Sequence, residues 1–125
     1  MSSSSLIVDV GDGAIFMALG APVERLVHPT TVGSSNVGLS IVRMAPGSVI
    51  RRHRHPYEEA YYVVEGTGVM YLESVGDVEL RPGRSVYVPP NTIHGQVNTS
   101  KDVDLHIVLA LSPPPPDGVI PELFE

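Results

Sequence analysis

No cysteine occurs in the 125 residues. That excludes disulfides and thiolate chemistry, and with them any reading of the compartment from redox state. Basic residues are scarce, 8 Lys and Arg against 14 Asp and Glu, for a formal net charge of -6. A nucleic-acid binder would need a basic patch that this balance does not supply. There is no run of about 18 apolar residues, the length a membrane-spanning helix requires. No basic segment precedes the first apolar stretch, so no secretory signal is expected and the protein is placed in the cytoplasm. Without such a signal the sequon Asn98-Thr99-Ser100 is read as a chance match. No segment sustains a helical period between caps, and no internal repeat or second domain is found.

What is present is turn chemistry. Twelve Gly and twelve Pro punctuate a chain that is 42% hydrophobic. Short apolar runs alternate with Gly, Pro, Asn and Asp, the pattern of an all-β sandwich or barrel. Runs expected to be extended are 6–10, 14–19, 24–28, 37–44, 49–55, 59–65, 69–73, 78–80, 85–88, 93–98 and 103–111. Residues 1–5 are expected to form a polar, flexible N-terminus, and 6–125 are read as one domain. Pro113 to Pro116 cannot sit centrally in a ladder and are expected as a polyproline strap over the outside. Leu123 and Phe124 in the tail are candidates to pack on a neighbour.

The chemistry concentrates between Gly47 and Gly66. His53 and His55 are two residues apart, so on a strand both imidazoles leave the same face. Glu59 follows one proline-containing corner later, and His94 comes from far downstream. Three imidazoles and a carboxylate suit a divalent transition metal. Burying them together without a cation is costly.

At these residues the chain resembles a cupin. The family's first motif is Gly, five residues, His-x-His, three or four residues, Glu, six residues, Gly. Gly47, His53, His55, Glu59 and Gly66 meet every spacing. The second motif is Gly, five residues, Pro-x-Gly, two residues, His, three residues, Asn. Gly83, Pro89, His94 and Asn98 fit it, and Asn91 replaces the usual Gly. Asn tolerates positive φ better than most residues, so the turn is expected to survive. The resemblance implies a double-stranded β-helix, the small jelly-roll barrel, with its metal-site core at residues 47–98. It implies one divalent metal per chain, held by His53, His55, Glu59 and His94. Fe2+ or Mn2+ is favoured, with Ni2+, Co2+ and Zn2+ also suited. The same count selects Glu59 over Glu58, whose side chain leaves the opposite face. A homodimer is a further implication, supported by apolar runs at 6–10 and 14–19 that need a cover.

Several polar residues are left over. His106 lies in the last long run on a face with Asp104 and Val108, opposite Val103, Leu105, Ile107 and Leu109. If the apolar row is a dimer face, His106 lines the cavity and is the acid/base candidate. Otherwise it is an exposed or satisfied histidine. Glu59 could serve as a base if it leaves the metal. Tyr61, Gln96 and Arg51 are candidates for substrate contact by strand parity. Arg51 could clamp a carboxylate or simply be solvated. His28, beside Pro29, is read as ordinary surface. Two functions fit. One is a metalloenzyme acting on a small oxygenated compound, of dioxygenase, decarboxylase, isomerase or lyase type. The other is a non-catalytic module that binds a metal and a small ligand.

Overall fold

A computed structural model describes residues 6–115 and 121–124. The chain folds as eleven strands: β1 Ala14–Ala18, β2 Ala21–Val27, β3 Gly38–Met44, β4 Val49–Arg54, β5 Glu58–Glu65, β6 Gly68–Leu72, β7 Gly76–Leu80, β8 Ser85–Val88, β9 His94–Asn98, β10 Leu105–Ser112 and β11 Glu122–Leu123. They form two antiparallel sheets, one ordered β1-β2-β3-β10-β5-β8 and the other β11-β4-β9-β6-β7. This is the jelly-roll β-barrel expected from the motifs. No helix among the described residues is long and apolar enough to cross a membrane.

Strand alternation builds the core. On β5, Glu59, Tyr61 and Val63 are buried, while Ala60, Tyr62 and Val64 are exposed. On β10, Leu105, Ile107 and Leu109 are buried and join Met44, Val63, Met70, Leu80 and Val88 in one apolar cluster. Each such side chain contributes roughly 1.5–3 kcal/mol by leaving water. The apolar row of β10 is therefore core and not a dimer face. His106 sits on the other side of the strand, between Arg43 of β3 and Glu65 of β5 in the register.

Turns fall where the sequence punctuates them. Asn91 has φ 59°, so Asn carries the left-handed turn that the motif usually gives to Gly. Gly66 has φ 89°, and a Cβ there would run into the Asp104 carbonyl. Asn98, the last motif residue, is buried, and its amide donates to the carbonyls of Met44 and Val103, each at 2.9 Å. It ties the end of β9 to the neighbouring segments, which gives the sequon position a structural role.

Four expectations are corrected. Residues 6–10 form no strand, and Leu6, Ile7 and Val10 are exposed. His28 is not surface but only 2% exposed. The described prolines do not form a strap over the outside: Pro113 is exposed, but Pro114 is buried and Pro115 lines the interior cavity. Pro116 lies outside the described residues. Leu123 pairs with His53 of the chain's own β4, and Arg54 covers the Phe124 ring at 5.0 Å.

Candidate metal centre

The site spans the two sheets. His53 lies near the end of β4, and His55 just beyond it. His94 opens β9 directly opposite His53 in the β4–β9 register. Glu59 comes from β5 in the facing sheet. All four are buried, and His94 has no exposed surface. One ligand atom from each of His53, His55 and His94 lies within 4.8 Å of the others, a grouping that could hold a metal ion.

Backbone carbonyls set the three rings. His53 Nδ1 contacts the Arg51 carbonyl at 2.6 Å, His55 Nδ1 that of Tyr57 at 2.9 Å, and His94 Nδ1 that of Thr92 at 2.9 Å. A carbonyl only accepts, so each Nδ1 carries the proton and donates it. In the neutral ring, Nε2 then holds the lone pair. Such partners of the second nitrogen are how proteins orient metal-binding histidines.

Glu59 Oε1 lies 3.0 Å from His55 Nε2 and 3.1 Å from His94 Nε2. With neutral rings these would be acceptors facing acceptors. The arrangement therefore calls for positive charge among the four groups, from bound protons or a cation. Electrostatics point the same way. Burial, aided by neighbouring His94, lowers the His53 imidazole from about 6.5 to about 4. Burial alone would raise the Glu59 carboxyl, but hydrogen bonding with His55 and His94 outweighs it and holds the group at about 2. An anionic carboxylate beside an uncharged imidazole is the donor set a divalent metal selects. The residues present fit the ion.

Beside the site opens a cavity of about 270 Å³, close to the lower limit of small-molecule pockets. Its apolar wall includes Phe16, Leu19, Val23, Val42, Ile50 and Leu109, and its polar lining includes His53, Tyr57, Glu59, Tyr61 and Gln96. Tyr61 is buried and donates to Glu59 Oε1 at 3.3 Å. Burial and the Glu59 charge push its phenol well above the ordinary range, so it keeps its proton.

Of the residues singled out by sequence, His53, His55, Glu59, His94, Tyr61 and Gln96 come together. His106 and Arg51 do not line the cavity. His106 fails because its strand turns the apolar row inward. Arg51 fails because β4 shifts register between Ile50 and His53, which breaks the parity that linked them. A Cβ on Gly95 would lie 2.9 Å from Ile50 O and Arg52 N, so the irregular β4 backbone presses on a position only glycine fills. Glu58 is exposed and accepts from the Tyr87 hydroxyl at 2.8 Å.

Sequence reasoning missed three cavity residues. Tyr57 stacks on His55 with ring centroids 3.7 Å apart. Arg25 lies 4.0 Å over the Phe16 ring. His28 accepts from the Thr30 N–H at Nδ1 (3.1 Å), so its Nε2–H is left to donate to the Pro115 carbonyl at 3.1 Å. Parity from Val23 could have found Arg25. Nothing local marks the contact between His28 and Pro115.

The family model for the cupin domain matches residues 40–111. An auxin-binding protein of Nicotiana tabacum is 30% identical over 104 residues, covering 72% of this chain and 56% of the relative. A dimethylsulfoniopropionate lyase of Ruegeria pomeroyi is 33% identical over 74 residues, covering 59% of this chain and 48% of the lyase. The chain thus spans about half the length of these relatives. Among solved structures, a Bacillus subtilis oxalate decarboxylase superposes with a TM-score of 0.79 at 16% identity, covering 99% of this chain and 33% of that one.

Proposed function

The chain belongs to the cupin family, and from that premise we propose that it is a metal-dependent enzyme acting on a small oxygenated organic substrate. The observation that carries this reading is the meeting of the His55 and His94 Nε2 atoms on Glu59 Oε1, with His53 alongside, at an apolar-walled cavity. His53, His55, His94 and Glu59 would hold one divalent metal per chain, with Fe2+ or Mn2+ favoured by the mixed nitrogen and oxygen donors. Mn(II) centres occur in the oxalate decarboxylase of the same fold. A metal held here supplies Lewis-acid chemistry to substrate oxygens.

The chain's own residues do the rest. The apolar wall excludes water and holds the substrate body. Tyr61 keeps a proton on its hydroxyl and directs it to Glu59, fixing that carboxylate toward the histidines. Tyr61 and Gln96 meet the substrate at the polar lining. Glu59, an anion at neutral pH, would accept a proton there only on leaving the metal. His106 has no part in this mechanism. Decarboxylase, lyase, isomerase and dioxygenase chemistry all suit such a site, because the fold does not select among them.

The second reading, a non-catalytic module that binds a small ligand, is favoured by the auxin-binding relative. We also propose a homodimer. The outer face of the six-stranded sheet exposes Tyr62 and Val64, and its β1 edge exposes Ile15 and Met17 at 66% and 67%. The function is tested by elemental analysis of purified protein, followed by turnover and oxygen-uptake screens of the Fe2+- and Mn2+-loaded forms. Stoichiometric metal with turnover of any small oxygenated acid or diketone supports the enzyme. Metal with ligand binding but no turnover supports the binding module.

A further inference from the structure

Gln96 carries an observation that the metal site does not absorb. It stands on β9 two residues beyond His94, is 3% exposed and lines the cavity. Its side chain lies beside the Tyr61 hydroxyl and acts on that phenol as a hydrogen-bond donor, against the effect of burial. That hydroxyl has one proton, already given to Glu59 Oε1. The phenol oxygen can then only accept from Gln96, so the Gln96 NH2 group turns toward Tyr61. This relay fixes which way the amide points, and it leaves Gln96 Oε1 as a buried acceptor with no partner among the described residues. A buried carbonyl oxygen without a donor is costly.

Ser40, Tyr57 and Arg25 bring donors to the same cavity, yet none of them is paired with Gln96 Oε1. Glu59 offers only acceptor oxygens, and the three histidines have given their Nδ1 protons to backbone carbonyls. Ile50, Val42 and Leu109 on the cavity wall have no polar side-chain atoms.

We infer that Gln96 is a specificity-determining residue whose Oε1 selects ligands bearing a hydroxyl or N–H donor. The ligand class is a small, mainly apolar molecule of about one ring's size with such a donor on it. The inference rests on the proposed reading of this cavity as the ligand site. It adds which polarity the ligand must present there. An analogue that keeps the shape but lacks the donor leaves Gln96 Oε1 unpaired on binding and is rejected for that reason.

The test uses the Mn2+-loaded full chain and calorimetric binding of the three monohydroxybenzoates and the three monofluorobenzoates. Fluorine approximates the hydroxyl in size and donates nothing. At least one hydroxy isomer should bind about tenfold or more tighter than its fluoro counterpart. In both Gln96→Leu and Gln96→Met that ratio should fall to about one, with the fluoro compound binding at least as tightly as it binds the wild type. Metal content is measured on the same samples, so loss of the metal reading and loss of the Gln96 reading give different results. A preference for hydroxyl that persists in both variants overturns the inference, because the donor is then paired elsewhere. So does wild-type protein that binds no hydroxybenzoate, or that binds each pair equally. So does equal loss of both partners in both variants, which would make Gln96 only part of the wall.

Discussion

Tyr57 lies flat against His55, with ring centroids 3.7 Å apart and planes within 3° of parallel, and its carbonyl accepts from His55 Nδ1 at 2.9 Å. One residue thus fixes both the tautomer and the tilt of a ring in the candidate metal centre. The carbonyl survives any substitution, but the stack does not. Tyr57→Phe should leave metal affinity unchanged, and Tyr57→Ala should weaken it by about two- to tenfold, the worth of an aromatic pair. Competition with a chelating dye measures both.

The ligand assignment predicts a sharper contrast. His53→Ala and His94→Ala should each abolish stoichiometric metal, since each removes one of three converging nitrogens. Glu58→Gln should retain it, because Glu58 is exposed and bonded to Tyr87. Elemental analysis after loading with each divalent metal decides the matter. Metal retained in His94→Ala would refute the site.

His106→Ala should keep both the metal and any activity found. Its ring stands on the outward side of β10. A fall in kcat of about 10²-fold or more, as expected for a lost general acid or base, would contradict that placement.

The metal-free protein should lose stability in mild acid. His53 titrates near 4 when folded and near 6.5 when unfolded, through burial and then through His94. Between those values the unfolded chain binds the extra proton, so stability rises with pH. The contribution is complete above about 6.5 and is lost as pH falls toward 4. It amounts to about 3 kcal/mol at 1.36 kcal/mol per pKa unit. Urea melts of metal-free protein at several pH values should show this slope, and His53→Gln should flatten it.

The two faces of β10 should separate in stability. Ile107→Ala removes a fully buried side chain and should cost about 2–5 kcal/mol. Val108→Ala, half-buried on the outer face, should cost clearly less. Chemical denaturation compares them, and light scattering of the wild type at micromolar concentration should give a dimer mass.

Much of this was legible in the chain. Gly and Pro mark the turns because they have special backbone conformations, and alternation marks the strands because side chains switch faces every residue. His53, His55, Glu59 and His94 could be read as a set because motif spacing is a local property. Even the Asn91 turn followed from what Asn tolerates. Parity, however, divides a strand into two rows without saying which row faces inward. On β10 that was decided by packing against Met44, Val63 and Met70, and it moved His106 out of the site. Arg51 lost its expected place because β4 changes register where Gly95 lets two backbones approach, an event spread over two distant segments. His28 and Pro115, 87 positions apart, meet by a hydrogen bond that neither neighbourhood announces. Sequence by itself determined most of the strands, the turns and the candidate metal-binding set, because those depend on residues close together in the chain. Only the tertiary structure decided which polar side chains share the cavity, because burial is set by whole sheets facing each other.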